Sequence, residues 1–389
     1  MTTATSGTQL HPSRARIVAI DALRGLVILL MLVDHAREFF YYHAQVSDPM
    51  NLATTEPALF FTRLTAHLCA PIFVALTGLS AYLYGEAKGG KAAASSFLLK
   101  RGLFLILLEV TVVGFAWNFD FTPARIYLQV IWVIGLSMIA LAALLHLSHR
   151  WLILLGAAIV LGHNLLDPIT AAPGDWYFIP WAILHDRTLI DLPWGGDLRT
   201  SYPLLPWIGI IMLGYGIGPW FRAEVPAPTR QARLVGIGVA MLAAFAVLRT
   251  INLYGDPSPW VIGEVPLRTI MSFLNLTKYP PSADFALLTL GTGALVMAAF
   301  DRMSSRLLGW LTVFGSVPLF FYILHLYGLH LLNIALGMVI QHREGVLVSV
   351  PNVGAIWLVA LAAAVPCWFA CRWFGAIKRR SGRWWMRYL

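Results

Sequence analysis

Arg24 and His35 stand eleven residues apart in the first long apolar run of the chain, Ile17 to Phe40. At 100° per residue that spacing is about 20° from a whole number of turns, so both side chains project from one helix face, roughly 16 Å apart along the axis. A cation at bilayer depth costs about 3 kcal/mol or more, so an Arg and a His aligned in such a run mark a functional site by default. The imidazole supplies acid–base chemistry near neutral pH, and the guanidinium a fixed charge with directional donors. Asp34 precedes His35, His43 follows it, His67 opens the second apolar run, and FGSVPLFFYILHLYGLH from Phe314 carries His325 and His330. Histidines gathered near one membrane face suit a general acid–base centre, with His35 and His325 the deeper members. His43 and His330 also suit residues that snorkel to the headgroups. Glu109, in the third apolar run, has an estimated depth similar to that of Arg24, which predicts an intramembrane Arg24–Glu109 ion pair. No metal is expected: the spans offer no H-x-x-x-H or H-E-x-x-H spacing, and Cys69, Cys367 and Cys371 have no thiolate-site spacing.

The elements that position these groups are set by composition. Of 389 residues, 58% are hydrophobic and 12% charged, and mean hydropathy is +0.71. Apolar runs recur from end to end, which predicts an all-α, polytopic integral membrane protein of about ten transmembrane helices. The expected spans are 17–40, 65–85, 97–117, 123–146, 151–169, 203–221, 232–253, 283–301, 310–340 and 353–375. They leave an N-terminal tail over 1–16, one membrane domain over 17–375 and a basic C-terminal tail over 376–389. An even number puts both termini on one side. Arg14, Arg16, Lys88, Lys91, Lys100, Arg101, Arg150, Arg222, Arg230, Arg233, Arg302, Arg306 and the basic residues from Arg372 to Arg387 all fall there. That side is therefore the cytoplasm. The net charge of +9 is accounted for by topology and a pull on anionic lipid, so no nucleic-acid partner is expected.

The long loops, about 41–64, 170–202 and 254–282, fall on the opposite side and are rich in Trp, Tyr, Pro, Gly and Asp. Loops of that length are more often functional than idle. The fifth span ends in GHNLLD, with His163, Asn164 and Asp167; RTINLYGDPSPW carries Arg249, Asn252, Tyr254 and Asp256; SFLNLTKYPPS carries Lys278. Flat aromatic faces and short polar arms on stiff turns suit a sugar-like ligand, with His67 on the same side. Trp176, Trp181, Trp194 and Trp220 read as an aromatic belt.

DALRGLVILLMLVDH, HLCAPIFVALTGLSAYLYG, YPLLPWIGIIMLGYGIG, RTINLYGDPSPW, SFLNLTKYPPS and GSVPLFFYILHLYGLH, in that order, together resemble the membrane family named for the catalytic domain of heparan-alpha-glucosaminide N-acetyltransferase, in particular its bacterial branch. The wider transmembrane acyltransferase superfamily shares an Arg, ten residues, then a His in its first span, which falls on Arg24 and His35. The resemblance implies transfer of an acetyl group from cytosolic acetyl-CoA to a glycan amine or hydroxyl on the outer side. The family's Asn near this outer end falls on Asp34, and its His falls on His43 or, by the superfamily spacing, on His35.

The expected function is an acyl-CoA-dependent O- or N-acetyltransferase of the bacterial plasma membrane, acting on an amino sugar or other glycan, with a homodimer as a compatible assembly. His35 is the leading general base, Asp34 or His325 would orient or relay, and Arg24 would stand along the CoA path. A proton-coupled secondary transporter is the alternative, because such carriers also use intramembrane His, Arg, Glu and Asp. Against it, the two halves show no paired Gly/Pro-interrupted helices, and the titratable groups gather toward one face.

Overall fold

In hydrocarbon a backbone must pair its own amides and carbonyls, and helices accordingly supply almost all the regular structure. The computed structural model describes residues 17–41, 50–340, 348–383 and 385–386. His43 lies outside the described residues. The chain opens with α1 (Val18–Phe40). Helices α2 (Pro57–Ala66) and α3 (Cys69–Lys88) continue one another across His67 and Leu68; Pro71 has no amide to give the His67 carbonyl, and the ladder is interrupted there. Gly89 and Gly90, with φ of 104° and 85°, turn the chain into α4 (Lys91–Leu108). A π-helical segment, Glu109–Val113, then leads into α5 (Gly114–Asn118).

After β1 (Arg125–Leu128) come α6 (Val130–Leu144) and α7 (His149–Gly162), the latter closed by a 3-10 turn at His163–Leu166. The short α8 (Phe178–Leu184), β2 (Leu189–Asp191) and β3 (Asp197–Thr200) precede α9 (Leu205–Gly216). The remaining helices are α10 (Ala227–Ile251), α11 (Pro266–Leu274), α12 (Ala283–Arg302), α13 (Arg306–Gly315), α14 (Pro318–Ile340) and α15 (Val353–Arg380).

Helix α1 is central, packed against α2, α3, α12, α13, α14 and α15, while α4 pairs with α6, α3 and α7 with α9, and α10 with α12. The buried Leu, Ile, Val, Phe and Met side chains of these elements merge into one main core. On the outside, Leu358, Leu361, Val365 and Phe369 of α15 are all exposed at helical spacing. An apolar stripe of that kind facing outward is a lipid-facing surface. Among the described residues six helical stretches are long and apolar enough to cross a membrane: 57–88, 149–166, α10, α12, α14 and α15. Helix α1 carries Asp21, Arg24, Asp34, Arg37 and Glu38, while α6 and the stretch from Leu205 to Phe221 are shorter.

Two expectations change. The apolar run 310–340 is two helices rather than one, broken between Gly315 and Pro318. The break lets α13 lie directly on α1: a Cβ on Gly25 would sit 2.0 Å from the Leu311 carbonyl oxygen, and one on Gly315 would sit 1.8 Å from that of Asp21. The fold is also not purely helical. Strand β3 pairs parallel to β1 and antiparallel to β2, with Arg125 donating to both carboxylate oxygens of Asp197 at 2.6 and 3.0 Å. This small sheet joins the segment after α5 to the segment before α9, at the end of the bundle where α1 finishes.

Candidate active site

Two imidazoles meet inside the bundle. His35 Nδ1 of α1 lies 2.6 Å from His325 Nε2 of α14, and the rings are nearly coplanar, 5° apart. His325 Nδ1 lies 2.8 Å from the Phe321 carbonyl oxygen. A carbonyl only accepts, so His325 carries its proton on Nδ1 and presents a lone pair at Nε2 in its neutral form. His35 must then donate from Nδ1, which leaves its own Nε2 unprotonated. That nitrogen has no protein partner among the described residues, and the ring is held by edge contacts with Trp117 and Tyr322 at 5.2 and 6.1 Å between centroids. The arrangement is a base whose orientation and tautomer are fixed by a second histidine.

The π-helical segment supports this geometry. Irregular turns leave carbonyls without helical partners. Tyr327 Oη donates to the Val112 carbonyl and His330 Nδ1 to that of Ala116, both at 2.8 Å, locking α14 beside α5. His330 is thereby engaged inside the protein, stacked on Phe119 with centroids 4.0 Å apart.

His35 lines a cavity of about 980 Å³ whose wall follows α1 from Ile17 to His35, a length of roughly 27 Å. At the end where α1 starts, this wall includes Arg222, Arg230, Asp301 and Lys378; further in it is largely apolar, with Phe73, Leu105 and Met138. A second cavity of about 760 Å³ opens where α1 finishes, lined by Arg37, Arg63, His67, Arg187 and Tyr279. Tyr202 and Lys278 belong to both walls. Lys278 is buried, makes no ion pair among the described residues, and sits over the Tyr202 and Tyr279 rings at 5.9 and 5.3 Å. Burial pushes the Tyr279 phenol up, but Lys278, Arg63 and Arg187 around it outweigh that and bring it down to about 8. The second cavity is thus strongly cationic.

Asp34 does not touch the His35 ring. Its Oδ1 accepts from Arg37 Nε at 3.2 Å and its Oδ2 from Arg63 of α2. Arg63 also reaches Tyr279 Oη at 3.3 Å. The carboxylate therefore joins α1, α2 and the segment before α12, and the side chain bonded to the His35 ring is His325. Arg63 falls in the expected loop 41–64, where Pro57 followed by apolar residues at Leu59, Phe60 and Leu64 signals a helix; Tyr279 stands next to Lys278 in SFLNLTKYPPS, and its sequence gives no sign that it meets Arg63.

The Arg24–Glu109 pair is corrected. Arg24 bonds Asp21 at 3.0 Å, Ser80 and the Leu76 carbonyl, which ties α1 to α3 on the cavity wall. Glu109 makes no ion pair among the described residues: its Oε2 accepts from the Trp132 amide at 2.9 Å at the start of α6, and its Oε1 is buried without a partner there. Similar depth on two helices does not make two side chains face each other. Neutralising Arg24 and Glu109 together is expected to change thermal stability by the sum of the single effects, within about 0.5 kcal/mol; a double variant more stable than either single one would restore the pair.

The other expected contacts divide. Lys278 and His67 face cavities; His67 is buried against Phe285 with Nδ1 unpartnered. Arg249 spends its guanidinium on the carbonyls of Ser258, Ser272, Phe273 and Asn275. Asn252 clamps Trp260, Tyr254 bonds the Leu161 carbonyl, and Asp256 collects the Thr277 amide and hydroxyl and the Ser282 hydroxyl. Asn164 Oδ1 accepts from the Ala283 amide. These five build the scaffold that carries Lys278 and Tyr279 and do not line either cavity.

Apolar outward faces around a buried polar centre define an integral membrane protein with an internal site. The family described as heparan-alpha-glucosaminide N-acetyltransferase, catalytic, matches residues 16–247, and the chain belongs to that family. Membership makes it, in broad terms, a membrane acetyltransferase. Comparison with curated proteins gives no match. The matched region contains Arg24, Asp34, His35 and Glu109, whereas His325 and Lys278 come from beyond it.

Proposed function

We propose that the protein moves an acetyl or similar acyl group from acyl-CoA to the amine or hydroxyl of an amino sugar or other glycan, with donor and acceptor entering from opposite membrane faces. The observation that carries this reading is the His35–His325 pair, of which His35 lines one cavity together with the Tyr202 and Lys278 that this cavity shares with the other. In this reading about ten helical segments cross the bilayer, residues 17–375 form the membrane domain, and the positive-inside rule puts the start of α1 in the cytoplasm. The elongated cavity, cationic at its mouth and apolar within, suits a phosphorylated head followed by an uncharged arm. Arg222 and Arg230 would meet phosphate by exchanging their present partners, Glu86 and Asp301, and Arg24 would meet the arm's amides.

The acceptor nitrogen or oxygen attacks the thioester carbon as His35 Nε2 takes its proton; the His35 Nδ1–H bond to His325 steadies the imidazolium formed. Lys278 supplies positive charge for the carbonyl oxygen as it becomes an oxyanion. Collapse breaks the C–S bond, and the imidazolium returns the proton to the departing CoA sulfur. Atoms and charge balance without a covalent enzyme intermediate.

Sealed vesicles of known orientation test the reading. Labelled acetyl-CoA supplied only on the cytoplasmic side is expected to acetylate an amino sugar confined to the other side, with no CoA crossing. A requirement for both compounds on one side ends the transmembrane mechanism, and solute flux without any transfer turns the reading to a carrier.

A further inference from the structure

A cluster away from the two imidazoles is left without a role by acyl transfer. His163 and Asp167 flank the 3-10 turn that closes α7, and His185 follows α8; one ligand atom from each lies within 4.8 Å of the others. We propose that these three side chains bind a divalent transition-metal cation of the zinc class, at a site separate from acyl transfer. His163 is 3% exposed, yet neither ring nitrogen has a hydrogen-bond partner. A buried imidazole with two idle nitrogens is costly unless something absent from the protein itself engages it.

The other two ligands are already aimed. His185 Nδ1 lies 3.3 Å from Asp186 Oδ1, a carboxylate that orients a metal-binding histidine by accepting its other N–H. The lone pair of His185 Nε2 then faces Asp167 Oδ1 at 3.3 Å and the His163 carbonyl oxygen at 3.3 Å. Acceptor facing acceptor is repulsive unless a proton or a cation lies between them. A tetrahedral cation with bonds of about 2.0 Å sets its ligand atoms roughly 3.3 Å apart, which matches the His185–Asp167 separation. Asp167 Oδ2 is held by Asn164 Nδ2 at 2.9 Å, so Asp167 and His185 each have an outer partner, as ligands of built metal sites do. The Pro281 carbonyl lies beside His163 without meeting the geometry of a hydrogen bond.

Two imidazoles and one carboxylate favour Zn²⁺ over the oxygen-seeking Ca²⁺ and Mg²⁺. The sequence motifs sought in the spans miss this site because one ligand pair is H-x-x-x-D and the third ligand arrives from a separate helix. Bound there, the cation would clip the end of α7 to α8. Two residues beyond His185, Arg187 stands 4.5 Å over the Tyr279 ring, so the clip would also steady the wall of the cationic cavity.

The test uses the full chain in detergent or nanodiscs, stripped with a chelator and titrated with Zn²⁺ against a chromophoric competitor. One tight equivalent is expected, and Co²⁺ in its place should give the visible d–d bands of a four-coordinate N/O site. His185→Ala and Asp167→Asn should each lose that equivalent or weaken it about 100-fold, and Asp186→Asn about 10-fold, the usual worth of an outer-shell partner. His146→Ala, at an exposed position, should keep it. No stoichiometric Zn²⁺ on the wild type overturns the proposal. Retention of the equivalent in a folded His163→Ala, His185→Ala double variant overturns it as well; if that variant does not fold, Asp167→Asn, whose side chain is partly exposed, decides alone. Metal content is read without any acyl transfer, so this outcome and that of the proposed function are independent.

Discussion

Acyl transfer by the His35→Ala protein is expected to fall by about 100-fold to 10,000-fold, the range over which a positioned general base contributes. The loss should appear in kcat, because His35 Nε2 acts on the attacking group during bond formation and holds neither the donor head nor the acceptor ring. Binding of a non-reactive CoA analogue should remain within a few-fold of wild type, which separates lost chemistry from lost folding. His325→Gln is a finer probe. Its amide still accepts from His35 Nδ1, but it cannot keep the fixed Phe321-to-His325-to-His35 order of donors, so turnover should drop less than in His35→Ala and its pH profile should move. Wild-type turnover in His35→Ala would remove this imidazole from the mechanism.

The Asp34→Ala protein is expected to lose about 3–5 kcal/mol of stability, enough to compromise insertion or folding, because the change strands the Arg63 guanidinium in a buried site and leaves Arg37 with Glu38 alone. Arg37 and Arg63 both use this carboxylate, and Arg63 is the link from α2 to Tyr279. The comparison that decides is the Asp34→Ala, Arg63→Met double variant, which should melt above Asp34→Ala alone since one stranded charge has been withdrawn. Unchanged thermal unfolding of Asp34→Ala would show that the cluster is solvated and of little consequence, and Asp34 would return to consideration as a direct partner in transfer.

The sequence determined the class of protein and most of its helical runs, because hydrophobic period and length act locally along the chain. It brought Arg24 and His35 to one face of α1, and both line the same cavity. It could not determine which side chains meet across helices. Arg24 and Glu109 have similar estimated depths, but rotation of α4 into the π segment turns Glu109 to the start of α6. His35 finds His325 only because α14 packs on α1, 290 positions away in sequence. Arg249, Asn252, Tyr254 and Asp256 have the residue types of a ligand site, but they satisfy loop carbonyls and amides that burial would otherwise leave unpaired. His163 and Asp167 read in the chain as arms for a sugar-like ligand, and His185 joins them only because α8 folds back over the end of α7. Local pattern is written in the order of residues; partner choice depends on helix rotation and on the backbone irregularities at Pro71, Glu109–Val113 and Gly315, which tertiary packing selects.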